Sequence, residues 1–321
     1  MDSLDLVVTE IRGETPLVRA IRLARPHGEP LPSWEPGAHV KVRLPGGDDR
    51  SYSLINPRPE PGATTRPDSY LLGVRLEEKS TGGSAYMHGL AVGDRVTVSP
   101  PANNFPLEPA DAPVVLVAGG IGVTPILSMA AWLRASRHPF RFHYAGRSRG
   151  QLAFLAECEA AAGGALAVHA DDEAGRVFDL PGLMAGLTAG EPLYVCGPLA
   201  MIEAARGAAG RLGWSEGRLR FEIFAAAAPQ EGDQSFEVVL ESSGRSFVVP
   251  PDKTILEVLI EAGMDPMYDC KRGDCGICQV SVLDGVPDHR DYLLTEREKA
   301  SNTVMQICVS RSKTPRLVLD L

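Results

Sequence analysis

Apolar and polar residues alternate with a period of two through residues 5–11, 18–23 and 39–44, the pattern of strands with one buried face. Turn residues interrupt it at Trp34-Glu35-Pro36-Gly37 and Pro45-Gly46-Gly47, which predicts a small antiparallel barrel of short strands. The pattern then changes. Residues 114–118 are an unbroken apolar run, as in a strand buried on both faces of a parallel sheet. They lead through Gly119-Gly120-Ile121-Gly122-Val123-Thr124-Pro125 into a helix-favouring stretch at 126–133, with Thr124 suited to the N-cap and Pro125 to the first helical position. Strands at 140–145, near 168–172 and at 193–196 alternate with helical stretches, one of them running through Phe154 and Leu155. Strand–helix alternation of this kind predicts a doubly wound α/β domain with ligands at the carboxyl ends of its strands.

Residues 225–234 hold no large apolar side chain and contain Pro and Gly, so they read as a linker. Beyond them the pattern restarts with a predicted hairpin at 236–240 and 246–250, a helix at 254–263 stopped by Gly263, and a strand at 279–283 before the turn Asp284-Gly285. The expectation is a multidomain α and β protein: an antiparallel β-barrel over 1–108, a doubly wound α/β domain over 109–228 and an α+β β-grasp domain over 229–321.

A length of 321 residues suits two or three domains, each with its own core. The net charge of −9 argues against a nucleic-acid partner. No apolar run approaches a bilayer span, and the start Met1-Asp2-Ser3-Leu4-Asp5 is acidic where a signal peptide is basic, so no membrane partner and a cytoplasmic location are expected.

Four of the six cysteines change the picture most. Cys270, Cys275 and Cys278 have the spacing C-x4-C-x2-C, with Cys308 following much later, which matches a plant-type [2Fe–2S] site. One loop must wrap the cluster, and Gly273 and Gly276 sit inside that wrap, where the backbone comes close to sulfide. The competing reading, structural zinc, normally draws on two separated Cys or Cys/His pairs. Lys271, Arg272 and Asp274 share the loop and read either as charges that steer a protein partner or as solvated loop charges. Cys158 and Cys196 are expected to remain thiols.

Two further motifs suit a flavin. Arg50-Ser51-Tyr52-Ser53 offers an apolar ring surface, a hydrogen-bond partner and a cation, and Gly82-Gly83-Ser84 offers a glycine turn entering a helix, where free N–H groups favour a phosphate. Val74 joins these as a candidate cofactor-binding residue. The FMN phosphate fits this turn, and FAD stays open. In the α/β region Gly119, Gly120, Gly122, Thr124 and Pro125 are candidates for a dinucleotide, although the motif is not G-x-G-x-x-G. Arg147, Ser148 and Arg149 are candidates for the adenosine side and Asp171 for a ribose hydroxyl. The two arginines suit a 2′-phosphate and the acid suits NADH.

Taken in order, R-x-Y-S, G-G-S, G-G-I-G-V-T-P, C-G-P, F-E-x-F and the cluster motif resemble the phthalate dioxygenase reductase family of flavin and iron–sulfur reductases, similar to vanillate demethylase reductase, over essentially the whole chain. The resemblance implies a flavin barrel, a nucleotide domain and a ferredoxin module carrying electrons from NADH through FMN to [2Fe–2S]. It further implies a thiol at Cys196, with Gly197 and Pro198, beside the nicotinamide, and Phe224 near the flavin face. Ser53, Cys196 and Phe224 are thus the candidates for a direct part in hydride transfer. The implied acceptor is a terminal Rieske-type oxygenase; a haem monooxygenase, a separate carrier and a non-catalytic redox sensor are the rival readings.

Overall fold

The computed structural model describes residues 3–78, 80, 82–108, 111–224 and 229–321, and these form two compact units, Met1–Glu222 and Ile223–Leu321. The first unit opens with strands β1 (Leu4–Thr15), β2 (Val18–Ala24), β3 (His39–Arg43), β4 (Asp49–Ser53) and β5 (Ser69–Arg75), then helix α1 (Gly83–Gly89) and strand β6 (Arg95–Val98). Their order β4-β3-β6-β1-β2-β5 is antiparallel throughout, and a bridge from Leu54 to Leu72 brings the two edges together into a barrel. Inward positions such as Leu6, Ile21, Val40, Tyr70, Leu72 and Val96 are buried in one core, as the period-two pattern requires.

The same unit continues with β7 (Val114–Gly119), α2 (Val123–Ala135), β8 (Phe140–Gly146), α3 (Leu155–Ala162), β9 (Leu166–Ala170), α4 (Asp171–Ala174), α5 (Leu180–Ala185), β10 (Leu193–Cys196), α6 (Leu199–Arg211) and β11 (Leu219–Glu222). The five strands are parallel in the order β11-β10-β7-β8-β9, and every residue of the central β7 is buried. The strand order reverses between β7 and β10, where a crevice opens for ligands in folds of this kind.

Barrel and α/β layer meet closely. Ser128 of α2 donates to the carbonyl of Leu54 at 2.9 Å and accepts from the N–H of Asn56 at 2.9 Å. Gly73 of β5 faces Thr124 and Phe154 so tightly that a Cβ there would lie 2.7 Å from each.

Two expectations change here. Thr124 is not the N-cap: a 3-10 turn over Gly120–Gly122 runs directly into α2, so Thr124 stands inside the helix and its hydroxyl donates to the carbonyl of Ile121 at 3.1 Å. Nor does the helix after β8 include Phe154, which is buried with φ 56° and precedes the first turn of α3. Glu14 accepts from its N–H at 3.1 Å and holds that left-handed conformation.

The second unit comprises β12 (Phe236–Leu240), β13 (Ser246–Val249), α7 (Ile255–Glu261), β14 (Gln279–Asp284), β15 (Pro287–Asp288), α8 (Glu296–Ser301), β16 (Val304–Gln306), β17 (Arg311–Ser312) and β18 (Arg316–Asp320). A mixed sheet in the order β13-β12-β18-β14-β16, with β12 and β18 parallel, packs on α7 as a β-grasp. Thr254 and Glu257 form a reciprocal capping box at the start of α7, worth about 1 kcal/mol, and Gly263 with φ 77° ends the segment.

The expected linker differs in its second half; residues 225–228 lie outside the described residues. The Asp233 side chain is only 7% exposed and is clamped by Arg290, whose Nη1 donates to it at 2.9 Å, with Arg311 nearby at 3.7 Å. Sequence composition could not show that partner, which lies far along the chain. No helix among the described residues is long and apolar enough to cross a membrane.

Candidate functional site

The two short motifs of the barrel come together in space. Gly83, at the start of α1, packs on Arg50 and Tyr52 of β4: an added Cβ would lie 2.7 Å from Arg50 Cγ and 3.1 Å from the Tyr52 hydroxyl. Burial pushes the Tyr52 hydroxyl up to about 12, against the pull of Arg50. Gly82 adopts φ 99°, which a side chain would strain. Around this turn the N–H groups of Gly82 and Ala85 converge on one oxygen, the hydroxyl of Ser80, at 3.2 and 3.3 Å, and Ser84 hydrogen-bonds the same hydroxyl at 3.0 Å. An oxygen gathered by converging amides beside an arginine is the donor set a phosphate uses, so the residues fit the group expected there. Ser51 is half-buried, Ser53 is buried at the end of β4, and Val74 lies in the barrel core.

A second group forms at the switch point. Cys196, fully buried, pairs with Ala118 of β7 on one side and Glu222 of β11 on the other. The glycine turn after β7 lies directly on the Cys196-Gly197-Pro198 segment: a Cβ on Gly122 would fall 2.2 Å from the Cys196 carbonyl oxygen, and one on Gly119 2.7 Å from Pro198 Cδ. Gly120, with φ 52°, has open space where a Cβ would stand, while its carbonyl accepts from the Tyr144 hydroxyl at 3.1 Å. Thr124 and Pro125 are buried in the first turn of α2. Ser128, absent from the sequence candidates, ties this helix to the chain leaving Ser53, so both motif groups border one region of the unit. A lone serine in an apolar helix carries no signal that would have singled it out.

The adenosine-side candidates gather at the ends of β8 and β9, where the N–H of Asp172 donates to the carbonyl of Arg147 at 3.1 Å. Arg147 is exposed and Ser148 half-buried. Arg149 is held by Glu173 through two bonds of 3.0 and 3.1 Å, and one oxygen of Asp171 accepts from Phe178 N–H at 3.2 Å. Phe224 belongs to the second unit, where it is half-buried next to Ile223.

In the second unit the four predicted thiols are neighbours. Cys270 lies against Cys275 and Cys308, and Cys278 against Cys308; proton sharing among them lowers Cys270 and raises Cys308. The loop is shaped for close approach. Lys271, Gly273 and Gly276 all have positive φ, the N–H of Arg272 points at Cys270 Sγ at 3.3 Å, and a Cβ on Gly276 would meet Leu293 at 2.7 Å. Four contiguous sulfurs with an inward amide form a thiolate donor set that fits an iron–sulfur cluster. Lys271 is exposed, as a solvated loop charge would be, but its two charged neighbours are not: Arg272 is 8% exposed and its Nε lies 3.8 Å from Asp274, whose carboxyl burial pushes up to about 7. Closing the loop on the sulfurs draws both residues inward.

A barrel with an anion cradle, a nucleotide layer with an open switch point and a cluster-binding β-grasp define an iron–sulfur flavoprotein reductase. Residues 238–313 match the 2Fe-2S iron-sulfur cluster binding domain family. The chain is 43% identical over 328 aligned positions to tetrachlorobenzoquinone reductase of Sphingobium chlorophenolicum, covering 100% of this chain and 99% of that protein. It is 40% identical over 324 positions to vanillate O-demethylase oxidoreductase of a Pseudomonas strain, covering 99% and 100%. Among solved structures, phthalate dioxygenase reductase, described as a modular structure for electron transfer from pyridine nucleotides to [2Fe–2S], superposes with a TM-score of 0.75 at 35% identity, covering 99% of this chain and 98% of that one. The chain belongs to the phthalate dioxygenase reductase family.

Proposed function

We propose that this protein passes electrons from NADH through FMN to a [2Fe–2S] cluster and on to a Rieske-type terminal oxygenase, with residues 1–108 holding the flavin, 109–228 the nucleotide and 229–321 the cluster. When bound, the flavin and the cluster convert a hydride pair into single electrons. The chain supplies position. Arg50 with Gly82, Gly83 and Ser84 would hold the phosphate, and Tyr52 and Ser53 would border the ring. Gly120 and Gly122 would admit the pyrophosphate at α2, with Cys196-Gly197-Pro198 beside the nicotinamide. Cys270, Cys275, Cys278 and Cys308 would ligate the irons.

The observation that carries the reading is the double hydrogen bond of Ser128, because it holds the chain leaving Ser53 against the helix that follows the glycine turn. Donor and acceptor of hydride would therefore meet within one unit. NADH is favoured over NADPH by the commitment of Arg149 to Glu173 and by an acid, Asp171, at the end of β9. The oxygenase partner is supported by the relatives named vanillate O-demethylase oxidoreductase and phthalate dioxygenase reductase. The relative named tetrachlorobenzoquinone reductase favours a second reading, in which a small quinone takes the electrons directly.

The test is an anaerobic NADH titration followed by absorption and electron paramagnetic resonance, with flavin extraction, in the parent and in Cys308→Ser. The variant is expected to keep NADH-dependent reduction of ferricyanide and to lose one-electron reduction of cytochrome c. Equal loss of both in a folded variant defeats the proposed order of carriers. Reconstitution with a purified Rieske oxygenase, a haem oxygenase or a quinone then decides the acceptor.

A further inference from the structure

Gln306 is the last residue of β16 and is 0% exposed. Its carbonyl accepts from Ser310 N–H at 3.0 Å, which shapes the turn delivering Cys308. Its side-chain oxygen takes the Cys278 thiol proton at 3.5 Å, and its amide nitrogen donates to Gln279 Oε1 at 3.0 Å. Gln279, its register partner on β14, is exposed.

This arrangement suits a protonated Cys278 only. A cysteine bound to iron has no proton to give and carries negative charge, so a buried carbonyl oxygen facing it would be repelled with no water to intervene. A half-turn of the amide exchanges its oxygen and nitrogen in place, since the two ends are nearly the same shape. The oxygen then faces Gln279, which makes the same half-turn at the surface, where solvent accommodates either orientation.

We infer that Gln306 donates an N–H···S hydrogen bond to Cys278 in the cluster-loaded protein and thereby raises the cluster's midpoint potential, with Gln279 as its anchor. The inference rests on the reading of Cys278 as a cluster ligand. Reduction adds one electron to the cluster and breaks no bond. A donor aimed at a ligand sulfur stabilises the added charge. Gln306 is a positioning residue, acting through Cys278.

The experiment is a mediated redox titration of the loaded protein, read by the paramagnetic signal of the reduced cluster. Gln306→Leu is expected to move the midpoint to more negative potential, changing the oxidised-to-reduced ratio at a fixed potential by about threefold to tenfold. A loaded Gln306→Leu protein with an unshifted midpoint overturns the inference.

Because Gln306 is buried, exposed Gln279→Glu provides a variant that spares the core. Its carboxylate accepts only, so it holds the amide nitrogen of Gln306 away from the sulfur and is expected to lower the midpoint in the same direction. The shift is read at high salt, where the direct effect of an exposed charge is screened and the amide orientation is not. No shift at high salt overturns the inference equally. A parent protein that shows no reduced-cluster signal would instead defeat the ligand reading on which the inference stands.

Discussion

The hydroxyl of Ser128 and the carbonyl of Leu54 are joined by a 2.9 Å hydrogen bond that links the nucleotide-side helix to the flavin-motif strand. Ser128 is 1% exposed and also receives the N–H of Asn56. Ser128→Ala leaves the buried Leu54 carbonyl and the half-buried Asn56 N–H without this partner, and is expected to cost about 1–3 kcal/mol of stability in urea denaturation. Unchanged stability would show that this bond does not hold the layers together.

Gly83→Ala tests the anion cradle. The new methyl would press on Arg50 and the Tyr52 hydroxyl, at 2.7 and 3.1 Å. Flavin affinity is expected to fall at least about tenfold, the effect of losing one well-placed charged hydrogen bond, while circular dichroism stays that of the parent. Full flavin retention would remove this turn from the site.

Asp233 gives a pH dependence to the second unit. Hydrogen bonds from Arg290 hold its carboxyl down at about 2, below the ordinary 3.8, so the folded state favours the charged form. The stability it contributes is present above pH 4 and is lost as pH falls through about 2. Asp233→Asn is expected to cost about 2 kcal/mol at neutral pH and to flatten this acid limb. A variant with the parent's acid profile would place the acid-sensitive group elsewhere.

His143 acts at higher pH. Burial first, then His169 and Arg141, hold it at about 4, below its ordinary 6.5. Its ring lies 5.3 Å from that of His169 and 5.8 Å from that of Phe178. Here the folded state favours the neutral form, so its contribution is complete above pH 6.5 and declines as pH falls toward 4. Denaturation series between pH 7.5 and 5 are expected to show a shallower decline in His143→Gln than in the parent. Identical slopes would exclude His143 as the source.

What could be read directly from the chain was whatever follows from neighbours in sequence. Alternation in β1 to β3 reports one buried face, the unbroken run of β7 reports two, and the apolar spacing over 254–263 with Gly263 at its end reports a helix. The cluster thiols were legible because three of them share one short loop. Contacts between distant segments were not. Ser128 becomes structural only opposite Leu54, and Gly73 only opposite Phe154 and Thr124. Asp233 looked like linker until Arg290 closed on it, and the burial of Arg272 and Asp274 follows from the fold of a loop whose composition suggests solvent. Thr124 stands two residues past the N-cap of α2, a shift the sequence does not show because nothing in the glycine run announces that it is itself helical.

The bare face of Gly73 bears on how such a chain can be recombined. With a Cβ excluded by Thr124 on one side and Phe154 on the other, the seam admits no side chain, and each half has been moulded to the other's outline. Shuffling that grafts a foreign nucleotide half onto this barrel must bring a matching hollow with it, or the join will gape or collide. The C-terminal module, which closes a core of its own, is the natural unit of exchange.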